Sequence, residues 1–563
     1  MIERLGRRAP MVIALALVLG LAGCGGIPTS GPVQAGQKFD TGTSTDFVFR
    51  GFGPEKGASQ QQILEGFVKA FSGPQGDYLV ARKFLSSSFA KEWDPRKSVF
   101  IRTGPPSYTP VDSVTMDYTF TTAAQVDEFG AYTGTVPGQQ TLSFGFVKEK
   151  DQWRISQAPP GIVLAESTFH NVFSKHALYF YDLSLHYLVP DQRWFPGGTT
   201  ATRIVSALLV GPPEWLKGAV VSQFPDGTQL SPGTTVTIDS TVAQVDLTSE
   251  AASANERQRQ LMRLQLSQSL STVPGIGSVD VSAAGSLLSI PPLGSDSPES
   301  PPGVDSRPLV LATDGFGYYS GGDTAPIEQL SDKVVKLAPL AVTLGSSGTV
   351  AAVQAADGVY VVRTGQIPAR KLDERRGLIA PSLDDYGYIW SVPAAQPGAI
   401  IAYDFDGVPH KVTVAAPAGA RIVSLEVARD NSRIAMLLQT DSGPHLMIAA
   451  IIRDAGEKYV PLSLGTPVLD TVIDATTAID LAWVDAFSVA TLTEENGLDQ
   501  VAAFDVGGLQ SSLGRPDASV AIVGGNSGKS GLRLLGADQL LRVPRGSGWQ
   551  KTTIKVDLIA TQR

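Results

Sequence analysis

One cysteine in 563 residues excludes an internal disulfide framework and any cysteine-based zinc site. Charge is sparse: 18% of residues are Asp, Glu, Lys or Arg, below the ~25% usual for a soluble domain. The 45 basic and 54 acidic residues leave a net charge of −9, with no basic footprint for nucleic acid. No stretch offers the ~18–20 consecutive apolar residues of a membrane-spanning helix. No Gly-x-Ser-x-Gly elbow occurs, so a serine hydrolase of that kind is not signalled. What is abundant is turn chemistry. The 58 glycines and 38 prolines exceed their usual joint share of ~12%, which argues for a β-rich body rather than a helical bundle. Hydrophobic residues make up 43%, ample for packed cores, and the length suggests two to four domains.

The single cysteine sits at an informative place. Arg4, Arg7 and Arg8 precede an apolar run over residues 11–19, which has the length of a signal-peptide core and is too short to span a bilayer. Leu21-Ala22-Gly23-Cys24 follows. Small residues before a cysteine at this position resemble a bacterial lipobox. The resemblance implies that the Cys24 thiol receives a diacylglyceryl group and that the chain is cut before it. Two or more acyl chains anchor stably where one does not. Residues 1–23 are thus expected to be a lipoprotein signal peptide and residues 24–57 a lipid-anchored tether. The rest would lie on the extracytoplasmic face of the cell membrane. Cytosolic nucleotides are out of reach there, and no cofactor is expected.

Three bodies are expected beyond the tether. In residues 58–165, Ile63, Leu64, Phe67, Val68 and Phe71 fall on one helical face. A second helix is read over residues 78–89. Alternating strands follow over residues 111–120 and 141–149, closed by Trp153-Arg154-Ile155. Helices first and sheet later indicate a small α+β domain, similar in element order to nuclear-transport-factor-2-like cones. Residues 170–285 read as a second α+β domain, with helices over 201–209 and 257–270 and a strand pair around Ser240-Thr241. Residues 286–308, rich in Pro and Ser, read as an exposed linker.

Residues 309–563 carry a loose repeat, a polar turn followed by a short apolar strand. Aligned on Val350, Ile389, Ile434 and Val489, the spacings are 39, 45 and 55 residues. A period of ~40–45 residues is that of a β-propeller, and the length suggests about six blades. The expected fold class is therefore multidomain, two small α+β domains and then an all-β propeller.

Cys24-Gly25-Gly26-Ile27-Pro28-Thr29-Ser30 resembles the mature start of the actinobacterial LpqB lipoproteins. Leu178-Tyr179-Phe180, Leu188-Val189-Pro190, Leu208-Leu209-Val210-Gly211-Pro212 and Val245-Asp246-Leu247 resemble the GerMN domain of sporulation and germination proteins. The resemblance spans nearly the whole chain. It implies an accessory lipoprotein of the MtrAB two-component system, contacting the extracytoplasmic domain of an MtrB-like sensor histidine kinase in envelope and cell-division signalling. No enzymatic activity comes with it.

Other constellations read as structural. Gly524 to Ser530 has three residues between Gly524 and Gly528, where a phosphate-binding loop needs four and a following helix. His170, His176 and His186 lack a spacing that brings them to one face for a metal. Asp404-Phe405-Asp406-Gly407 lacks the further oxygen ligands of a calcium loop. Asp384 and Asp385 are adjacent and, on a strand, point to opposite faces, unlike a glycosidase pair. Trp194, Phe195 and Trp215 lie near Pro/Gly breaks and are candidate interface residues. The expected function is a non-catalytic, membrane-anchored interaction protein, with no catalytic residue and no metal site. The alternatives are a cell-wall glycan- or peptide-binding module, or an envelope hydrolase with a site on the propeller.

Overall fold

A computed structural model describes residues 52–563, apart from Pro301, Pro302, Glu457, Asn526 and Ser527. Cys24, the lipobox Leu21, Ala22 and Gly23, and nearly all of the tether lie outside the described residues.

The first domain opens with the helix Gln60–Lys69. Ser59 starts it with a capping box: its hydroxyl accepts from the Gln62 N–H, and the Gln62 side chain accepts from the Ser59 N–H. These bonds satisfy two donors that have no partner within the helix. Ile63, Leu64 and Phe67 point into the core. They pack on a sheet of five strands, β1 (Ser98–Pro110), β2 (Thr115–Asp127), β3 (Tyr132–Glu149), β4 (Gln152–Gln157) and β5 (Ile162–Ala165). Its order is β4-β3-β2-β1-β5, antiparallel except that β5 runs parallel to β1. The helix expected over 78–89 instead spans Gln75–Arg82. Beyond Arg82 the backbone turns to β4, where the Ile155 N–H donates to Phe84 O at 2.9 Å and the Ser86 N–H to Ile155 O at 2.8 Å. Strand β1 was not legible in the sequence because Pro105 and Pro106 interrupt it. They sit where the register shifts between Thr103 and Ser107, and such a bulge releases the backbone donors that proline lacks.

The second domain has two sheets. Strands β6 (Phe173–Asp182) and β7 (Leu188–Pro196) form a hairpin that β8 (Val220–Val221) extends. Strands β9 (Thr237–Asp239), β10 (Val242–Leu247), β11 (Ser278–Ala283) and β12 (Ser286–Leu287) form the other, in the order β12-β11-β10-β9. Strands β10 and β11 are parallel, so a crossover must link them. The helix Glu256–Leu270 provides it. Two bonds tie that helix to β6: the Tyr181 hydroxyl donates to Leu261 O at 2.7 Å in a buried bond, and the Tyr179 N–H donates to the Ser269 hydroxyl at 3.0 Å.

The described residues of the Pro/Ser-rich segment after β12 are exposed or half-buried apart from Pro298, and hydrogen bonds lay the segment down as a strap. Gln260 and Arg263 donate to the carbonyls of Ile290, Pro291 and Pro292. Glu299 bonds through its backbone to His186 and Leu188, both at 2.9 Å. Proline carbonyls still accept hydrogen bonds, so a proline-rich chain can lie along a helix whose face carries long donors.

The rest is a propeller of six blades among the described residues. The first is composite: Leu558–Gln562, at the C-terminus, pairs with Leu309–Ala312, which continues into Gly315–Ser320 and Asp323–Pro326. This pairing closes the ring, and only the short outer strand of each blade remains as an edge. Each remaining blade is an antiparallel meander beginning at Ala341, Ser382, Arg421, Thr477 or Ser519. The six inner strands touch in a closed ring.

Side chains lock the ring. Ser382 Oγ accepts from the Val427 N–H (3.0 Å), Glu426 Oε2 from the Trp483 N–H (3.1 Å), and Asp480 Oδ2 from the Ile522 N–H (3.0 Å), each bond reaching the next blade. Glu426 also crosses the axis, accepting from the Thr561 hydroxyl of the composite blade at 3.2 Å. Burial, and after it the Asp480 charge, push the Glu426 carboxyl up to about 7, and burial pushes the Asp480 carboxyl up to about 6.

Candidate functional site

The second domain meets the propeller along two lines, one closed and one open. The closed line centres on Trp194 of β7, which is 4% exposed and belongs to the first domain's core. Its ring lies 6.2 Å from that of Tyr132 and 4.9 Å from that of Phe169. Its backbone N–H donates to Gly130 O at 2.8 Å, and its indole N–H donates to Gly507 O on the propeller at 3.3 Å. A Cβ on Gly508, at φ +109°, would lie 1.9 Å from the Tyr132 ring. The Gly507-Gly508 turn therefore admits all three domains only because it has no side chains. The Gly507 N–H reaches Gln192 Oε1 at 3.2 Å, and Lys175 pairs with Asp505 at 2.6 Å.

Phe195, 1% exposed, lies in the second domain's own core. Trp215 is half-buried between that core and the propeller core, and its indole N–H donates to Asp191 Oδ1 at 3.3 Å. Trp194 and Trp215 thus bridge domains of one chain, and Phe195 supports them from behind. The domain junction covers these rings, and sequence spacing gives no sign of that cover.

The open line is a cleft of about 630 Å³ between the β6–β7 turn and the third and fourth blades. At its wall Asp182, fully buried at the end of β6, takes four donors. Its Oδ1 accepts from the His186 and Tyr187 N–H groups at 2.8 and 2.7 Å, and its Oδ2 accepts from the Tyr386 hydroxyl at 2.5 Å and from the Ser184 hydroxyl. Four donors fill a carboxylate, so Asp182 organises the turn and docks it on the propeller. A second tyrosine crosses the other way, the Tyr187 hydroxyl donating to Asp385 Oδ2 at 3.2 Å. Burial first, and then the Asp182 charge, hold the Tyr386 hydroxyl far above its ordinary range. Burial and Asp385 do the same for Tyr187. Both phenols stay protonated and remain donors.

Asp384 and Asp385 do face opposite ways. Asp384 is buried, accepting from the Tyr388 N–H (2.9 Å), the Trp390 indole (2.9 Å) and the Arg453 guanidinium (2.6 Å). Arg453 is itself buried, with its guanidinium carbon 4.6 Å from the Tyr386 ring centroid and 5.7 Å from that of Trp390. Asp385 projects into the cleft, held by the Ser346 hydroxyl at 2.7 Å, and its N–H donates to Asn431 Oδ1 at 3.0 Å. Phe405, Tyr459, Asp404 and Asp406 complete the outer walls.

This arrangement can bind, but its two most enclosed carboxylates are fully engaged in structural bonds. Among the described residues no group of His, Cys, Asp and Glu is placed to hold a metal. His176 bonds Thr272 at 2.9 Å, and burial lowers its ring to about 4. Lys529 of the glycine-rich segment donates to the Ser511 hydroxyl at 3.1 Å. Asp404 Oδ1 accepts from the N–H groups of Asp406 and Val408, an ordinary turn closure. Sequence reasoning did not single out Asp182, Tyr187, Tyr386, Asn431 or Arg453. The signals were the turns Asp384-Asp385-Tyr386-Gly387 and Asp430-Asn431-Ser432-Arg433, visible as parts of the repeat but not as a domain contact.

The domains match known families. Residues 53–170 match the N-terminal domain of lipoprotein LpqB, residues 177–289 the sporulation and spore germination family, and residues 314–557 the LpqB β-propeller domain. The chain is 27% identical to the lipoprotein LpqB of Streptomyces coelicolor across 97% of both chains. It is 27% identical to that of Cutibacterium acnes across 87% of this chain and 86% of the relative. Against the Thermobifida fusca protein it is 24% identical across 88% and 89%. Among the described residues no helix is long and apolar enough to cross a membrane, and the LpqB relatives imply a membrane-associated lipoprotein. These matches follow the domain order from first helix to closing blade, and the chain belongs to the LpqB family of lipoproteins.

Proposed function

We propose that this chain is a non-catalytic accessory protein, held by lipid on Cys24 at the extracytoplasmic face of the cell membrane. It binds the extracytoplasmic domain of an MtrB-like sensor histidine kinase and shifts the kinase between conformations. The observation that carries this reading is the lipobox Leu21-Ala22-Gly23-Cys24 ahead of three joined domains whose enclosed carboxylates are engaged in structural bonds. The shift in kinase output is limited by the difference in affinity for the two kinase states. Anchoring both proteins in one membrane raises their effective concentration, so a weak contact is still occupied.

The test is a titration of the full chain, in detergent, with the purified sensor domain, followed by kinase assays in vesicles with the wild type and Cys24→Ala. Saturable binding, with weaker modulation by Cys24→Ala, supports the proposal. No binding at high micromolar concentration overturns it. The aromatic lining of the cleft favours one second reading, a cell-wall glycan- or peptide-binding module. Pull-down on isolated peptidoglycan, scored for both retention and released fragments, separates that reading and the hydrolase from the first.

A further inference from the structure

We propose that the cleft between the second domain and the propeller binds an extended peptide segment bearing a lysine or arginine side chain. This rests on the reading of the chain as a protein-binding accessory and names the chemistry of the partner at one site.

Three observations combine. The first is charge. Four carboxylates line the cleft, those of Asp182, Asp385, Asp404 and Asp406, against one cation at the rim, Lys458. Asp182 is filled, but among the described residues no lysine or arginine forms an ion pair with the carboxylates of Asp385, Asp404 or Asp406; the buried Arg563 acts on Asp385 only through its field, and Arg370 donates to the Asp406 backbone carbonyl. The Asp406 side chain has no partner there at all and is exposed. A cation entering this space gains charge-assisted hydrogen bonds without displacing an internal ion pair.

The second is the walls. Tyr187, Tyr386, Tyr388, Phe405 and Tyr459 present ring surface, with Tyr386 and Tyr459 at 4.9 Å. Guanidinium and ammonium groups are attracted to such faces. Behind that wall, outside the cleft lining, Arg453 already stacks this way beneath Tyr386 and Tyr388.

The third is the floor. Asn431 is 1% exposed and lines the cleft. Its Oδ1 is occupied by the Asp385 N–H and by Arg563, both at 3.0 Å, while its Nδ2 has no partner among the described residues. That amide donor opens onto the cleft from an otherwise buried side chain, so an acceptor on a ligand can take the place of water there. A metal ion or a polyamine supplies none, whereas a peptide backbone supplies a carbonyl beside its cationic side chain. The segment therefore places its cation with Asp385 and Asp406 against the tyrosines, and a backbone carbonyl on Asn431.

The test uses the full chain in detergent and three probes. One is an acetylated, amidated Gly-Arg-Gly-Lys-Gly peptide. One is the same peptide with citrulline and acetyl-lysine, which keeps the shape and removes the charge. One is a chitotetraose glycan. Calorimetry is expected to show binding of the first probe alone, weakening as NaCl rises from 50 to 500 mM. Asp406→Asn, whose side chain supports no fold contact, is expected to weaken it by roughly tenfold. Asn431→Ala is expected to weaken the first probe as well.

Equal binding of the neutral peptide, preference for the glycan, no binding of the basic peptide, or an unchanged Asp406→Asn variant each overturns the cleft assignment. Failure of the broader function reads differently. If the kinase sensor domain binds wild type and Asp406→Asn equally, the accessory role stands and the cleft falls. If the basic peptide binds but the sensor domain does not, the cleft stands and the partner falls.

Discussion

The two lines along which the second domain meets the propeller show opposite uses of the same aromatic chemistry. Trp194 itself is covered, and the propeller approaches it through Gly507 and Gly508, which bring backbone alone. Around Tyr386 and Tyr187 the rings are spaced apart by hydroxyl–carboxylate bonds, and about 630 Å³ stays open between the domains. Apolar contact gains free energy by closing, so the first line excludes water. A phenol bound to a carboxylate keeps its polar end supplied, so the second line holds two domains together without filling the space between them. One line fixes where the domains sit, and the other leaves surface for a partner.

Breaking the closed line should cost most. Trp194→Ala removes a ring shared by two domains and a bond to a third, and should lower stability by about 4 kcal/mol; chemical denaturation of the full chain measures it. An effect under about 1 kcal/mol would mean that Trp194 does not weld the three domains together.

Next is the floor of the open line. Asp384→Ala strands the buried Arg453, whose partner distance is 2.6 Å, and should cost about 3 kcal/mol. Arg453→Met with Asp384→Leu should recover part of that loss, because an apolar pair carries no uncompensated charge.

A smaller effect follows from the inner ring. Glu426 rises from 4.5 to about 7 and Asp480 from 3.8 to about 6 in the folded protein. Between those limits the native state holds protons that the unfolded chain has released. Stability is thus greatest, from these groups, below their unfolded values and falls as pH rises toward 7. Across pH 5 to 7.5 the Tm should drop by roughly 2–4 °C, and Glu426→Gln should flatten the slope. A rising Tm that Glu426→Gln leaves unchanged would contradict the assignment. The smallest effect is Tyr187→Phe, which deletes one 3.2 Å bond across the cleft and should cost about 1 kcal/mol or less.

Much of this architecture was legible from residue order. The apolar strands recognised at Val350, Ile389, Ile434 and Val489 fall in the second strands of four consecutive blades, because each follows the tight turn that reverses the chain after an inner strand. The first and sixth blades were not legible. The first takes its inner strand from Leu558–Gln562, far along the chain, and no local pattern encodes that pairing. Site residues were hidden for a similar reason. Asp182 reads as a strand-end aspartate and Tyr386 as a turn residue, and only the docking of two domains brings them to 2.5 Å. Trp194, Phe195 and Trp215 were visible as aromatics beside breaks, but whether such rings are covered depends on which domain folds over them. Residues 286–308 carried the composition of a free linker, while the donors that bind them, Gln260 and Arg263, lie on a distant helix.

The contrast between the closed and open lines can be measured in one experiment, amide hydrogen exchange on the full chain with and without the kinase sensor domain. Amides at 192–195 and 505–509 should exchange slowly in both states. Amides at 182–187, 384–388 and 404–408 should exchange faster when free and slow when the partner is added. Protection by the partner confined to other surfaces, or fast exchange around Trp194 in the free chain, would contradict the account.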